Sequence, residues 1–242
     1  MRHFGFSTGA IALGDFVEAL RRLSAHDVSA VELSALRFHE LEPLIRALES
    51  LDVARYAYVS LHAPSNIPER EETFVVELLK SVARRKIPIV LHPDTVCDWS
   101  LWTQLGAAVL LENMDKRKEI GRTAVEMRAC FDRLPDAGLC FDIGHARQVD
   151  PSLVEGRRIL EQFSDRLRQL HISEVGSDST HDRISWGAAK SFSTLASMIP
   201  SQVPIVIESV VRADQIANEI ARARASFGEV VFPGVDALVG AA

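Results

Sequence analysis

Gly138-Leu139-Cys140-Phe141-Asp142-Ile143-Gly144-His145 decides how this chain is read. Residues 139–142 have the composition of a strand buried on both faces, and the run ends on a carboxylate with a histidine three residues on. In barrels and open α/β sheets alike, the carboxyl end of a parallel strand is where chemistry is placed. A carboxylate there is costly unless a positive group neutralises it. His145 is close enough along the chain to share one cation with Asp142. Taken alone, the segment also fits a helix-capping aspartate followed by an unrelated surface histidine. The other strands decide between the two.

Working outward in both directions, short apolar runs alternate with helical patterns. The runs fall at 3–7, 30–33, 58–62, 87–92, 108–112, 139–142, 167–172 and 205–208. Helical patterns follow them at 15–23, 41–51, 72–84, 99–105, 123–134, 152–163, 188–199 and 213–226. The first aligns Phe16, Leu20 and Leu23 on one face, and the second aligns Leu41, Leu44, Ile45 and Leu48. Pro64 and Pro93 stop the third and fourth runs. Eight evenly spaced strand-helix pairs, with no linker and no second core, predict a single-domain (β/α)8 TIM barrel of the α/β class over residues 1–229. A doubly wound open sheet is the alternative, and the even spacing tells against it. Residues 230–242 form an apolar, glycine-rich tail beyond the barrel.

The 242 residues suit one such barrel, for which about 250 is typical. Apolar residues make up 47% and charged ones 25%, the balance of a soluble globular chain. A formal charge of −6 argues against avid binding to phosphate backbones. No apolar run reaches the roughly 18 residues of a membrane span, and the N-terminus lacks a signal-peptide pattern, so a cytoplasmic protein is expected. Cys97, Cys130 and Cys140 are odd in number and irregular in spacing, which predicts no disulfide framework.

The last residues of the runs form the clearest pattern. The third to eighth end on His62, His92, Glu112, Asp142, His171 and Glu208, all of them groups that bind metals. Two residues earlier, on the same face of each strand, stand Ser60, Val90, Leu110, Cys140, Gln169 and Val206. The alternate positions Leu61, Leu91, Leu111, Phe141, Leu170 and Ile207 are all large and apolar, fit to meet a ring of helices. The alternation therefore points six polar side chains inward, toward one another. Three carboxylates brought together would raise one another's pKa unless a cation were present. A mixed imidazole and carboxylate shell suits Zn, Mn or Fe(II) better than Ca or Mg. Around this ring, Glu32 reads as half of a salt bridge and Glu174 as a site or rim carboxylate. Trp186 reads as a loop aromatic that could stack on a substrate.

These strand ends resemble a known superfamily. Leu110-Leu111-Glu112-Asn113 resembles its Leu-Glu-Asn segment, and residues 138–145 resemble its Gly-Leu-Cys-Phe-Asp-(Ser/Thr)-X-His signature, with Ile143 the one departure. Leu170-His171 and Asp182-Arg183 resemble a third signature, with a shorter loop between them. The superfamily joins xylose-isomerase-like sugar isomerases and epimerases to endonuclease IV, the family-2 apurinic (AP) endonucleases, and the resemblance spans residues 62–208. It implies that His62 and His92 bind a first metal, which Glu112 bridges to a second completed by Asp142, His171 and Glu208. In the endonucleases a third zinc is held by the histidine matching His145 and by an Asp-Arg-His triplet. Here the triplet reads Asp182-Arg183-Ile184, so a third ion requires His181 to substitute. Two ions are favoured over three, as Zn or Mn, with Fe also admitted.

For the isomerase or epimerase class, the resemblance implies a small sugar, sugar phosphate or hydroxyketone as substrate. Glu112 and Glu208 would move a proton at a metal-polarised carbon, and His145, Arg183 and Trp186 would hold the substrate. The alternative is an endonuclease IV-like phosphodiesterase acting on DNA. The acidic charge, the altered triplet and the short loops disfavour that nucleic-acid partner. A non-catalytic sugar- or metal-binding protein is the third reading, and retention of every ligand of the first two metals speaks against it. Homo-oligomers are compatible with the resemblance, but nothing in the sequence locates an interface.

Overall fold

In the computed structural model, which describes residues 2–229, eight parallel strands pair in chain order and close on themselves. They are β1 (Phe4–Ser7), β2 (Ala30–Ser34), β3 (Tyr58–His62), β4 (Ile89–Leu91), β5 (Val109–Glu112), β6 (Gly138–Asp142), β7 (Leu167–Ile172) and β8 (Ile205–Ile207). Closure is made by β1 against β8, with Phe4 opposite Ile205 and Phe6 opposite Ile207, so the open-sheet alternative is excluded. The expected TIM barrel is therefore the fold. The tail expected at 230–242 lies outside the described residues.

Strand periodicity sorts the side chains into two environments. Leu61, Leu91, Leu111, Phe141, Leu170 and Ile207 are fully buried in the large layer between barrel and helices. Val90, Leu110 and Cys140 form a separate small cluster inside the barrel. Gly5 permits the close approach of β1 to β2, since a Cβ there would lie 1.7 Å from the Ala30 carbonyl oxygen.

The main helices of the outer ring are Phe16–Leu23, Phe38–Ala47, Glu72–Arg84, Ala124–Arg133, Val154–Gln162, Trp186–Ser193 and Ile216–Ser226, with a short turn at Trp99–Trp102 after β4. Asp15, Thr123 and Ser185 cap three of them by accepting a backbone N–H three residues on. The second helix starts earlier than its apolar spacing predicts, because the Glu40 carboxylate accepts the Arg37 N–H at 3.0 Å and closes a first turn. Three features fall where no regular element was expected. A five-residue helix, Thr8–Ala12, follows β1. A helix, Ile143–Val149, follows β6 at once, and Glu174–Val175 pairs antiparallel with His181–Asp182 across what reads as a polar loop. No helix among the described residues is long and apolar enough to cross a membrane.

Candidate metal centre

The carboxyl ends of β3 to β8 bring His62, His92, Glu112, Asp142, His171 and Glu208 to one mouth. Glu112 stands at its centre. Its Oε2 lies 3.3 Å from His62 Nε2 and 3.1 Å from His92 Nε2, and its Oε1 lies 3.2 Å from His171 Nδ1 and 3.4 Å from His145 Nδ1. Glu208 Oε2 lies 3.3 Å from the same His171 nitrogen. Four overlapping groups result: His62, His92 and Glu112; Glu112, Asp142, His171 and Glu208; Asp142, His145 and His181; and, deeper in the barrel, Glu32, His62 and Glu208. Within each group, ligand atoms lie within 4.8 Å of one another. Donors about 2 Å from a shared ion span comparable separations.

Asp142 serves two purposes at once. Its Oδ1 accepts the His145 N–H at 2.7 Å and caps the helix Ile143–Val149, while its Oδ2 is buried without a hydrogen bond, His145 Nδ1 lying 3.5 Å away. The capping role that the sequence admits and the ligand role thus belong to different oxygens of one carboxylate. Asn113 fastens β5 to β6 by bonding both the N–H and the carbonyl of Asp142 at 2.8 Å. Gly144 lets that helix start lie against β7, because a Cβ there would meet the Ser173 carbonyl oxygen at 2.5 Å.

The hairpin after β7 delivers His181, whose ring centroid lies 5.2 Å from that of His145 and whose Nδ1 lies 2.9 Å from Ser173 Oγ. Strand alternation then turns Asp182 outward to solvent, and it falls outside all of these groups. Of the two hairpin residues expected as ligands, the structure brings His181 to the mouth and leaves Asp182 outside it. Two expected substrate contacts also point elsewhere. Arg183 lies on the flank with its Nε 3.7 Å from Glu219 Oε2, and Trp186 is 69% exposed beneath the Arg222 guanidinium. Ile184 is buried and donates its N–H to Glu219 Oε1 at 2.7 Å. Glu174 joins the rim, pairing with Arg147 at 3.1 Å.

Glu32 forms the ion pair expected of it, but with an imidazole: its Oε2 lies 3.2 Å from His171 Nε2. It forms no pair with lysine or arginine among the described residues. It is fully buried one layer below the mouth and accepts from Gln169 Nε2 at 2.6 Å and Ser60 Oγ at 3.0 Å. Its inward parity with Ser60 and Gln169 was the signal available in the sequence.

The electrostatics of the ring are those of too many carboxylates in one dry place. Burial disfavours charge on Asp142, and Glu208 and Glu112 add to it, so its pKa stands well above the ordinary value. Burial opposes protonation of His62, but Glu112, Glu32 and Glu208 overcome it and raise its pKa to about 9. His171 is raised likewise against its burial by Cys140 and the surrounding carboxylates. Burial lowers His92. Burial also opposes ionisation of Glu112 and Glu208, yet the neighbouring histidines hold both below the ordinary carboxylate range. The raised pKa values of His62 and His171 make a proton on each the natural counter-charge to these acids, and a divalent cation would take over that role. Asp142 Oδ2, buried without a hydrogen bond, and the all-nitrogen-and-oxygen donor set fit such an ion.

Neither a family model nor a curated protein matches the sequence. Solved structures do match its fold. A xylose isomerase domain protein from Alicyclobacillus acidocaldarius superposes with a TM-score of 0.67 at 14% identity, covering 95% of this chain and 99% of that one. A xylose isomerase-like TIM barrel protein from Mycobacterium smegmatis, solved in complex with magnesium, gives 0.58 at 10% identity over 96% and 98%. Endonuclease IV from Thermus thermophilus gives 0.56 at 17% identity over 85% and 91%. The chain thus shares the barrel of both branches of the superfamily that its strand ends resemble.

Proposed function

We propose that this chain is a divalent-metal-dependent enzyme that isomerises or epimerises a small sugar, sugar phosphate or hydroxyketone by proton transfer. One observation carries the reading: Glu112 sits between two groups of possible ligands in a mouth whose acids lack enough fixed positive charge, with Asp142 Oδ2 buried and without a hydrogen bond. Zn or Mn, with Fe(II) also admitted, suits the donors. When bound, such ions polarise a substrate carbonyl or hydroxyl and acidify the adjoining C–H. Of the two carboxylates expected to carry protons, Glu112 is 1% exposed and engaged by four histidines, which suits holding the centre together. Glu208, 13% exposed across the mouth, is the one placed to take a proton from a bound substrate and return it. His145 and His181 border the same opening and can orient substrate oxygens.

A second reading, a metal-dependent phosphodiesterase, is favoured by the third group. Asp142, His145 and His181 converge even though the Asp-Arg-His triplet is altered. The formal charge of −6 weighs against a DNA substrate. Elemental analysis of the purified chain, run beside a ketose–aldose interconversion screen and a nicking assay on abasic duplex DNA, separates the readings. Sugar turnover supports the first, and nicking without it replaces the first by the second. Glu208→Gln should lower turnover by at least about 100-fold in protein that circular dichroism shows to be folded. An unchanged rate would remove Glu208 from the mechanism.

A further inference from the structure

The ring uses one face of His171 and leaves the other to a buried network. Nδ1 of His171 looks into the mouth, 3.2 Å from Glu112 Oε1 and 3.3 Å from Glu208 Oε2. Nε2 looks down the barrel, 3.2 Å from Glu32 Oε2 and 2.7 Å from Gln169 Nε2. Gln169 is itself held from below by Tyr58, whose hydroxyl donates to Oε1 at 2.6 Å. An imidazole that ligates through Nδ1 must carry its proton on Nε2, and a buried N–H needs an acceptor. The Gln169 amide nitrogen cannot accept; at its distance it offers a proton to the Nε2 lone pair and so supports the opposite tautomer. Glu32 is the carboxylate on that side of the ring. A neutral residue could satisfy Ser60 and Gln169 equally well, whereas a carboxylate without a lysine or arginine partner is costly to bury. Its charge is accounted for when it faces an imidazole beneath cations.

We propose that Glu32 is a positioning residue of the metal centre, whose Oε2 accepts the Nε2 proton of His171 and so leaves the Nδ1 lone pair directed between Glu112 and Glu208. Glu32 and Gln169 then act against each other on the same nitrogen, and cation binding settles the contest in favour of Glu32. Outer carboxylates of this kind fix the orientation and tautomer of ligating histidines in metal sites generally. The inference rests on reading the mouth as a metal centre.

Its test uses Zn²⁺ as the probe metal, on the whole chain. Calorimetric titration against a competing chelator compares the wild type with Glu32→Gln, which keeps the shape and removes the charge. Nitrogen-15 NMR of the Zn²⁺-loaded wild type locates the His171 proton. The expected result is a proton on Nε2 and a roughly 10- to 100-fold loss of Zn²⁺ affinity in Glu32→Gln. Ser60→Ala, which removes a donor to Glu32 that does not touch His171, should retain wild-type affinity. Should Glu32→Gln fail to fold, the tautomer in the wild type decides alone. A proton on Nδ1 in the loaded protein, or unshifted affinity in folded Glu32→Gln, overturns the role of Glu32 and leaves the metal reading standing. A wild-type chain that takes up no Zn²⁺ overturns the metal reading and this inference together.

Discussion

The two flanks of the candidate metal centre are built by different means. His62, His92 and Glu112 come from the ends of three neighbouring strands, β3 to β5, whose spacing is set by the ladders between them. His181 comes instead from a hairpin with two-residue strands. That hairpin is held by scattered side-chain bonds: Ser179 Oγ donates to Asp115 Oδ1 at 2.7 Å, Gln148 Nε2 donates to Ser179 Oγ at 2.9 Å, and Val210 N–H donates to the His181 carbonyl at 2.9 Å. The strand flank is fixed by the barrel itself, so its geometry cannot shift without reworking the sheet. The hairpin flank can be adjusted by a few surface substitutions, and it is also the flank on which the two readings of function diverge. A shared barrel with an adjustable third group is a physical route by which one scaffold carries different chemistries.

The comparison breaks most severely at Glu112, which belongs to two of the four groups. Glu112→Gln should cost at least about 100-fold in affinity for both ions it would share, read by elemental analysis after dialysis. Full occupancy would mean that the strand flank does not depend on its bridge.

Stability against pH without metal sharpens the same comparison. The pKa of His62 is raised to about 9 in the fold, so its contribution is complete below the unfolded value near 6.5 and disappears as the pH rises through about 9. Glu112 and Glu208 are depressed, so their contribution is present above the ordinary carboxylate range and disappears as the pH falls. Chelator-treated protein should therefore lose up to about 3 kcal/mol between pH 6.5 and 9 from His62, by denaturant titration. Zn²⁺ should flatten that slope by standing in for the proton. Identical curves with and without Zn²⁺ would contradict it.

The smallest effect is expected on the hairpin. His181→Ala should remove only an ion held with Asp142 and His145, leaving uptake at the strand flank unchanged. Collapse of uptake at His62 and His92 would show that the flanks are not independent.

How much of this was legible in the sequence follows from the same division. The six strand ends could be read because period two and the apolar partners at Leu61, Leu91, Leu111, Phe141, Leu170 and Ile207 fix which way each side chain points. The hairpin could not, since two-residue strands carry no periodicity: the sequence named both His181 and Asp182, and only the turn decides that His181 faces the mouth. Arg183 and Trp186 were expected at the mouth, but Glu219 and Arg222 on the last helix hold them on its flank. Glu32 had the right parity and the expected ion pair, but its partners His171 and Gln169 stand on a distant strand, so the sequence could not name them. The early start of Phe38–Ala47 shows a cap outweighing apolar spacing.

The central claim is that the mouth of the barrel binds cations, and diffraction from Zn²⁺-loaded crystals at the zinc absorption edge tests it most directly. Anomalous peaks should fall between His62, His92 and Glu112, and among Glu112, Asp142, His171 and Glu208. A mouth without such peaks, with Asp142 Oδ2 satisfied by water or a neighbouring side chain, would contradict it.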